Sequence, residues 1–139
     1  MIILGDISGI QNYLFDIAEA GGGQARRLRA RSFFIQILAE CAALRLLRRF
    51  GWPIDENHFL LSGAGKFLLR GPSVNGIGEQ LHKERQDLND WLLRETRGEL
   101  RLMLAWVEDA ASEVDGYCQA QRNLQLVKVR PWGPIASAR

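Results

Sequence analysis

Two cysteines, two histidines and four prolines in 139 residues leave little material for metal or disulfide chemistry. Cys41 and Cys118 stand far apart, and His58 and His82 are equally isolated, so the spacing argues against a zinc site. Cys41, set among Ala39, Ala42 and Leu44, reads as a small core residue. No stretch approaches the ~18 apolar residues of a membrane span. The first apolar run, Met1 to Leu4, is short and lacks the basic region of a signal peptide. A reduced, cytoplasmic protein without a membrane partner is expected. A net charge of +2 gives the whole chain no strong bias toward polyanions, but the charge is uneven. Residues 26–49 hold seven arginines against one acid, Glu40, which reads first as a solvated helix face.

What is present has the punctuation of one α+β domain, long enough to bury a core. MIILGDI is a short continuous apolar run, the pattern of a buried strand. SGIQNYLFDIA follows, with Ile10, Leu14, Ile17 and Ala18 on one helical face. Ser8 and Gln11 have the spacing of a capping box. Gly21, Gly22 and Gly23 break the pattern, without the lysine and hydroxyl of a phosphate loop. A long helix is expected over Ala25 to Phe50, with a stripe of Phe34, Ile37, Leu38, Cys41, Leu44 and Leu47, ended by Gly51, Trp52 and Pro53. NHFLLSGAGKFLLRGP reads as a hairpin around SGAG. A helix over Asn75 to Thr96 and the alternating strand LRLMLAWVE complete the plan. Leu100, Leu102, Leu104 and Trp106 take one face of that strand; Arg101, Met103, Ala105 and Val107 take the other. Residues 110–126 suit a helix, followed by a proline-interrupted end in which Trp132 packs back onto a domain.

The order strand, helix, strand, strand, helix, strand is the split βαβ, ferredoxin-like plan: an antiparallel four-stranded sheet with helices on one face. Its first strand lies between the third and the fourth. Asp6, Ile7, Ser8 and Gly9 should therefore meet Ser62, Gly63, Ala64, Gly65 and Lys66 at one sheet edge, with a helix N-terminus between them. Such an edge suits phosphate: unpaired amides, glycines that permit close approach and one lysine. Capping and turn geometry explain the same serine and glycines without any ligand. Metal-assisted phosphoryl transfer needs at least two converging carboxylates, and Asp6 supplies one. Asp55 and Glu56 lie ~20 Å from the turn at ~3.3 Å per residue, and Asp16 sits too far along its helix. No acyl-transfer signature surrounds Ser8, Ser32 or Ser62. The chain is not expected to be an enzyme on its own.

GDISGIQNYLF, RRLRARSFFIQIL and LLSGAGKFLL, in that order, resemble the first palm domain of the large subunit of type III CRISPR effector complexes. NDWLLRETRGELRLMLAW is similar to the helix and strand that close that domain, so the resemblance spans residues 2–108. It implies a palm akin to GGDEF-type nucleotidyl cyclases and polymerases, facing a second palm whose GGDD hairpin carries metal-dependent synthesis of cyclic oligoadenylates from ATP. Family members often add an HD-type nuclease domain, and their complexes are guided by crRNA and switched on by target RNA. Carried over, Asp6 to Gly9 match the strand-to-helix step beside a nucleotide, and Ser62 to Lys66 match a hairpin usually written closer to GGGKF. Arg29, Arg31 and Ser32 match the LRxRS stretch, as structural or ligand-binding residues. Ala64 takes a glycine position, and no GGDD, HD pair or second palm is present.

These matches imply a non-catalytic palm over residues 1–109 and a C-terminal helix and tail over 110–139. The chain is then a fragment, a split subunit or a stand-alone relative. Its partners would be a second palm, other subunits of the ribonucleoprotein, or a second copy of itself, with RNA associated indirectly; its cofactor would be ATP with Mg²⁺ at an incomplete site. Two alternatives stand beside that: a vestigial palm scaffold for protein contact, and an RNA-binding module using the arginine-rich helix. The outer face of the last strand carries no aromatic for base stacking, which counts against the RNA module.

Overall fold

The computed structural model describes residues 1–15 and 23–129. Strand β1 (Ile2–Ser8) is buried at six successive positions, Ile2 to Ile7. A strand presents alternate residues to opposite faces, so a continuous buried run needs a central strand covered on both sides. That is its place: helices α1 (Ile10–Phe15) and α2 (Gln24–Phe50) lead to the hairpin β2 (Phe59–Gly63) and β3 (Lys66–Arg70), then α3 (Ile77–Thr96), β4 (Arg101–Val107) and α4 (Glu113–Val129). The sheet order is β2-β3-β1-β4, with every neighbouring pair antiparallel. The ferredoxin-like palm plan is thus observed, with β1 between β3 and β4.

One face carries the larger core: Ile3 and Ile7 of β1, Phe67 and Leu69 of β3, and Leu102 and Leu104 of β4, against α2 and α3. Gly5 makes room there. It stands opposite Phe67, and a methyl carbon in its place would lie 2.1 Å from that fully buried ring. The α2 stripe differs from the expected one. Ile35, Leu38, Ala39, Ala42, Ala43, Leu46 and Leu47 are buried, whereas Ile37 and Cys41 are exposed. Three alanines let the helix axis approach the sheet closely, and the helix turns its smaller residues inward; Cys41 is consequently a surface residue.

The opposite face holds Ile2, Leu4, Leu68, Met103 and Ala105, as the alternation in β4 requires. The two palm helices do lie together on the first face. The helix of the tail, α4, covers the second, burying Ala120 and Leu124 against it. Gly116 allows this contact, since a methyl carbon there would sit 2.8 Å from Ile2 Cγ1. Among the described residues no helix is long and apolar enough to cross a membrane. Ile17, Ala18, Gly21, Gly22 and Trp132 lie outside the described residues.

Polar groups pin the elements together. Buried Glu84 on α3 accepts from Arg45 Nε at 2.5 Å and lies 3.5 Å from Arg49 Nε, so two arginines of the basic segment clamp α2 to α3. Asn89 Nδ2 donates to the Leu102 carbonyl at 3.0 Å, and the Leu102 N–H donates to Asn89 Oδ1 at 2.7 Å. This side-chain amide takes the place of a neighbouring strand along β4, an edge strand whose backbone groups would otherwise lack a partner.

His82 on α3 packs edge-on against Trp106, with ring centroids 5.1 Å apart. Burial, and secondarily the charge of Arg85, hold its pKa below the usual imidazole value. The unfolded chain, titrating near ~6.5, therefore takes up the proton first on acidification. This contribution to stability is intact above ~6.5 and is lost as pH falls below it. His82→Phe keeps a ring against Trp106 and is expected to narrow the gap between thermal midpoints measured at about pH 7.5 and about pH 5.5.

Candidate functional site

The end of β1 and the hairpin turn are joined directly. Ile7 N–H donates to the Gly65 carbonyl at 2.8 Å, and Asp6 stands opposite Lys66 in the β1–β3 register. Ala64 (φ 51°) and Gly65 (φ 77°) both have positive φ, the two-residue primed turn that matches the twist of a hairpin. Ala64 is exposed and keeps this conformation despite its side chain. Gly65 is buried, and a methyl carbon there would lie 2.5 Å from Ile10 Cδ1 and 3.3 Å from Ile35 Cγ2. Strand end, turn, the start of α1 and the middle of α2 therefore form one packed corner. It is the corner expected from the topology.

Within it the expected residues separate. Gly63 is exposed and open, and Ser62 Oγ is buried without a hydrogen-bond partner. Lys66 is half-buried, on the same sheet face as Leu68. Ser8 belongs to β1 and is paired with Arg101, the last rung of the β1–β4 ladder. The capping box is absent because strand pairing with β4 extends through Ser8. Gly9 takes the turn instead, and its carbonyl accepts from Tyr13 N–H at 3.0 Å. Arg31 Nη1 donates to the Tyr13 carbonyl, and its guanidinium lies 4.9 Å from the Tyr13 ring centroid, fastening α2 to α1. Arg29 is exposed.

Asp6 is 4% exposed and points to the α4 side of the sheet, in line with Ile2 and Leu4. Its Oδ2 is paired with Lys128 Nζ from the last turn of α4. Gly116, Ala120, Leu124 and Lys128 recur every four residues, a stripe that meets Ile2 at one end and Asp6 at the other. Lys128 also lines a shallow pocket of about 180 Å³ with Ser8, Gly9, Glu99 and Arg101. Glu99 Oε2 is buried beside this pocket without a hydrogen-bond partner. Lys128 was not singled out from sequence; the one signal for it is the four-residue repeat of Gly116, Ala120 and Leu124 that ends on a cation.

A divalent cation does not fit this arrangement. Among the described residues no three His, Cys, Asp or Glu side chains converge. Asp6 already has an ammonium on it, and Glu99 is the one further carboxylate lining the pocket. What remains can accept phosphate oxygens: backbone amides at the start of α1, the turn amides and two lysines.

A four-stranded split βαβ sheet, with a strand-to-helix step locked to a glycine turn, defines a palm-type domain. Residues 1–129 match the family described as Csm1 subunit domain B. The chain belongs to that family, a palm domain of the large subunit of type III CRISPR systems. It is 31% identical over 109 residues to the single-strand-specific deoxyribonuclease Cas10/Csm1 (subtype III-A) of Mycobacterium tuberculosis, covering 78% of this chain and 13% of that protein. The corresponding protein of Thermococcus onnurineus is 27% identical over 106 residues, covering 76% of this chain and 13% of the relative. The crystal structure of Csm1 in T. onnurineus superposes with a TM-score of 0.75 at 25% identity, over 93% of this chain and 19% of that one. The chain thus spans a small part of the proteins it matches.

Proposed function

We propose that this palm supplies a half-site for the phosphates of ATP and docks a second palm, whose acidic hairpin would complete cyclic oligoadenylate synthesis in a type III CRISPR complex. The observation that carries it is the locked corner: the Gly65 carbonyl on Ile7 N–H, with Asp6 and Lys66 facing each other across the strands. The same fold occurs in Csm1–Csm4 cassettes solved with AMPPNP and with cA3, at TM-scores of 0.74 and 0.73. Partners of the kind those cassettes contain are part of the proposal. Calorimetric titration of the chain and of Lys66→Ala with ATP tests it. Saturable binding weakened about tenfold by the substitution is expected. No saturation at about 1 mM ATP in either protein would leave the scaffold role.

A second reading, contact with RNA through α2, has its own support. Arg26, Arg27 and Arg29 are exposed, and so is Phe33, at 63%, one turn further along. Cations interleaved with an aromatic ring suit phosphates and a stacked base. Single-stranded RNA is expected to bind with an affinity that falls with salt. The triple variant Arg26→Ala, Arg27→Ala, Arg29→Ala should flatten that dependence by about two to three phosphate contacts. An unchanged slope would remove this reading.

A further inference from the structure

We infer that Lys128 Nζ is the fixed cation of this corner, so that the half-site proposed above holds phosphate without a divalent cation on Asp6; the inference deepens that proposal and rests on it for the ligand. Asp6 is almost completely buried and faces α4, where a lysine occupies one of its oxygens. A buried carboxylate without a partner is strongly disfavoured, and an ammonium fixed on the adjacent helix removes its charge. The neutralised pair has no net charge with which to attract Mg²⁺. A metal would have to displace Lys128 and loosen the last turn of α4 from the sheet.

The lysine is not enclosed by that contact. Its side chain remains 32% exposed, and it lines the pocket that Ser8 and Gly9 also border, where Arg101 offsets the charge of the Glu99 carboxylate. An ammonium carries three donors, and the contact with Asp6 accounts for one. The same group can therefore hold Asp6 and face an anion at the strand-to-helix step. Delivery is specific to α4: Gly116 brings the helix onto Ile2, Ala120 and Leu124 seat it, and the four-residue repeat sets Lys128 over Asp6. A positive charge beside this step is thus supplied by a residue of α4, more than a hundred positions from the strand it serves.

Amide NMR of the native chain with Mn²⁺ and no nucleotide tests the cation directly. Selective paramagnetic broadening of Ile7 and Ser8 is expected to be absent, and to emerge in Lys128→Gln, whose folding the same spectra report. Selective broadening at these amides in the native chain would overturn the inference whatever the variant does. The second arm is titration with ATP in EDTA and in Mg²⁺. Affinities within about twofold of each other are expected. A loss of more than about tenfold on removing Mg²⁺, itself abolished by Asp6→Asn, would place a metal on Asp6 and reject the role of Lys128. If ATP binds in neither condition, the half-site fails as a nucleotide site, while the Mn²⁺ measurement still decides which cation Asp6 accepts.

Discussion

Replacing Lys128 by methionine is expected to destabilise the fold by about 3 kcal/mol, far more than a substitution at a helix end ordinarily does. Removing one partner of a buried ion pair leaves the other charge uncompensated, which costs about 3–5 kcal/mol. The lower end applies because the lysine is 32% exposed and water reaches part of the pair. Methionine preserves most of the aliphatic stem, so the loss would come from the charge and not from packing. The double variant Asp6→Asn, Lys128→Met should recover most of it, because an amide in a buried site is far less costly than a carboxylate. Urea unfolding of the native, single and double variants measures both numbers. For a domain of this size the single variant should also melt about 10 °C lower. A single variant within about 0.5 kcal/mol of native would mean that water, not Lys128, satisfies Asp6.

Lys128 owes its role to a contact between distant parts of the chain. The sheet order and the meeting of Asp6–Gly9 with SGAG were legible because each element announced itself locally: an unbroken apolar run, a glycine turn and a clean alternation in β4. The ferredoxin-like plan then left one arrangement for the edge. Residues 110–126 were legible as a helix too, but not as the cover of the second sheet face. That contact joins Gly116 to Ile2 and Lys128 to Asp6 across most of the chain; the four-residue repeat marks one face of α4 but not the strand which that face covers. A lysine in a last helical turn reads as a solvated charge favoured by the helix dipole.

Two local errors have related causes. The expected α2 stripe shares Leu38 and Leu47 with the buried face, yet close helix–sheet contact selects Ile35, Ala39, Ala42, Ala43 and Leu46 in place of Ile37 and Cys41. Ser8 and Gln11 had the spacing of a capping box, but β4 pairs with β1 as far as Ser8 and holds it in the strand. In each case a tertiary contact overrode a correct local pattern. The basic segment shows both outcomes: Arg45 and Arg49 close on Glu84 and Arg31 on Tyr13, while Arg26, Arg27 and Arg29 stay exposed as a solvated face would.

Gly9→Ala is expected to be the most damaging single-methyl change at the corner, at about 3 kcal/mol or more. Two independent costs combine. Gly9 has φ 91°, where any side chain strains the backbone by about 1–3 kcal/mol. A methyl carbon there would also lie 1.9 Å from the Glu99 carbonyl oxygen, and backbone cannot swing aside as a side-chain tip can. The segment before β4 would have to retreat, which separates Ser8 from Arg101 at the end of the β1–β4 ladder. Gly63→Ala is the control: a methyl there meets nothing within 4 Å, so a change within about 0.5 kcal/mol is expected although Gly63 lies at the same corner. Amide hydrogen exchange locates the damage. In Gly9→Ala, protection should fall first at Ile7, Ser8 and Arg101, while Leu4 and Leu69 in the middle of the sheet hold longer. Uniform loss of protection would mean that the corner unfolds only with the whole domain. Loss confined to Ile7, Ser8 and Arg101 would identify the step as a separately yielding unit, pinned by the absence of one carbon atom.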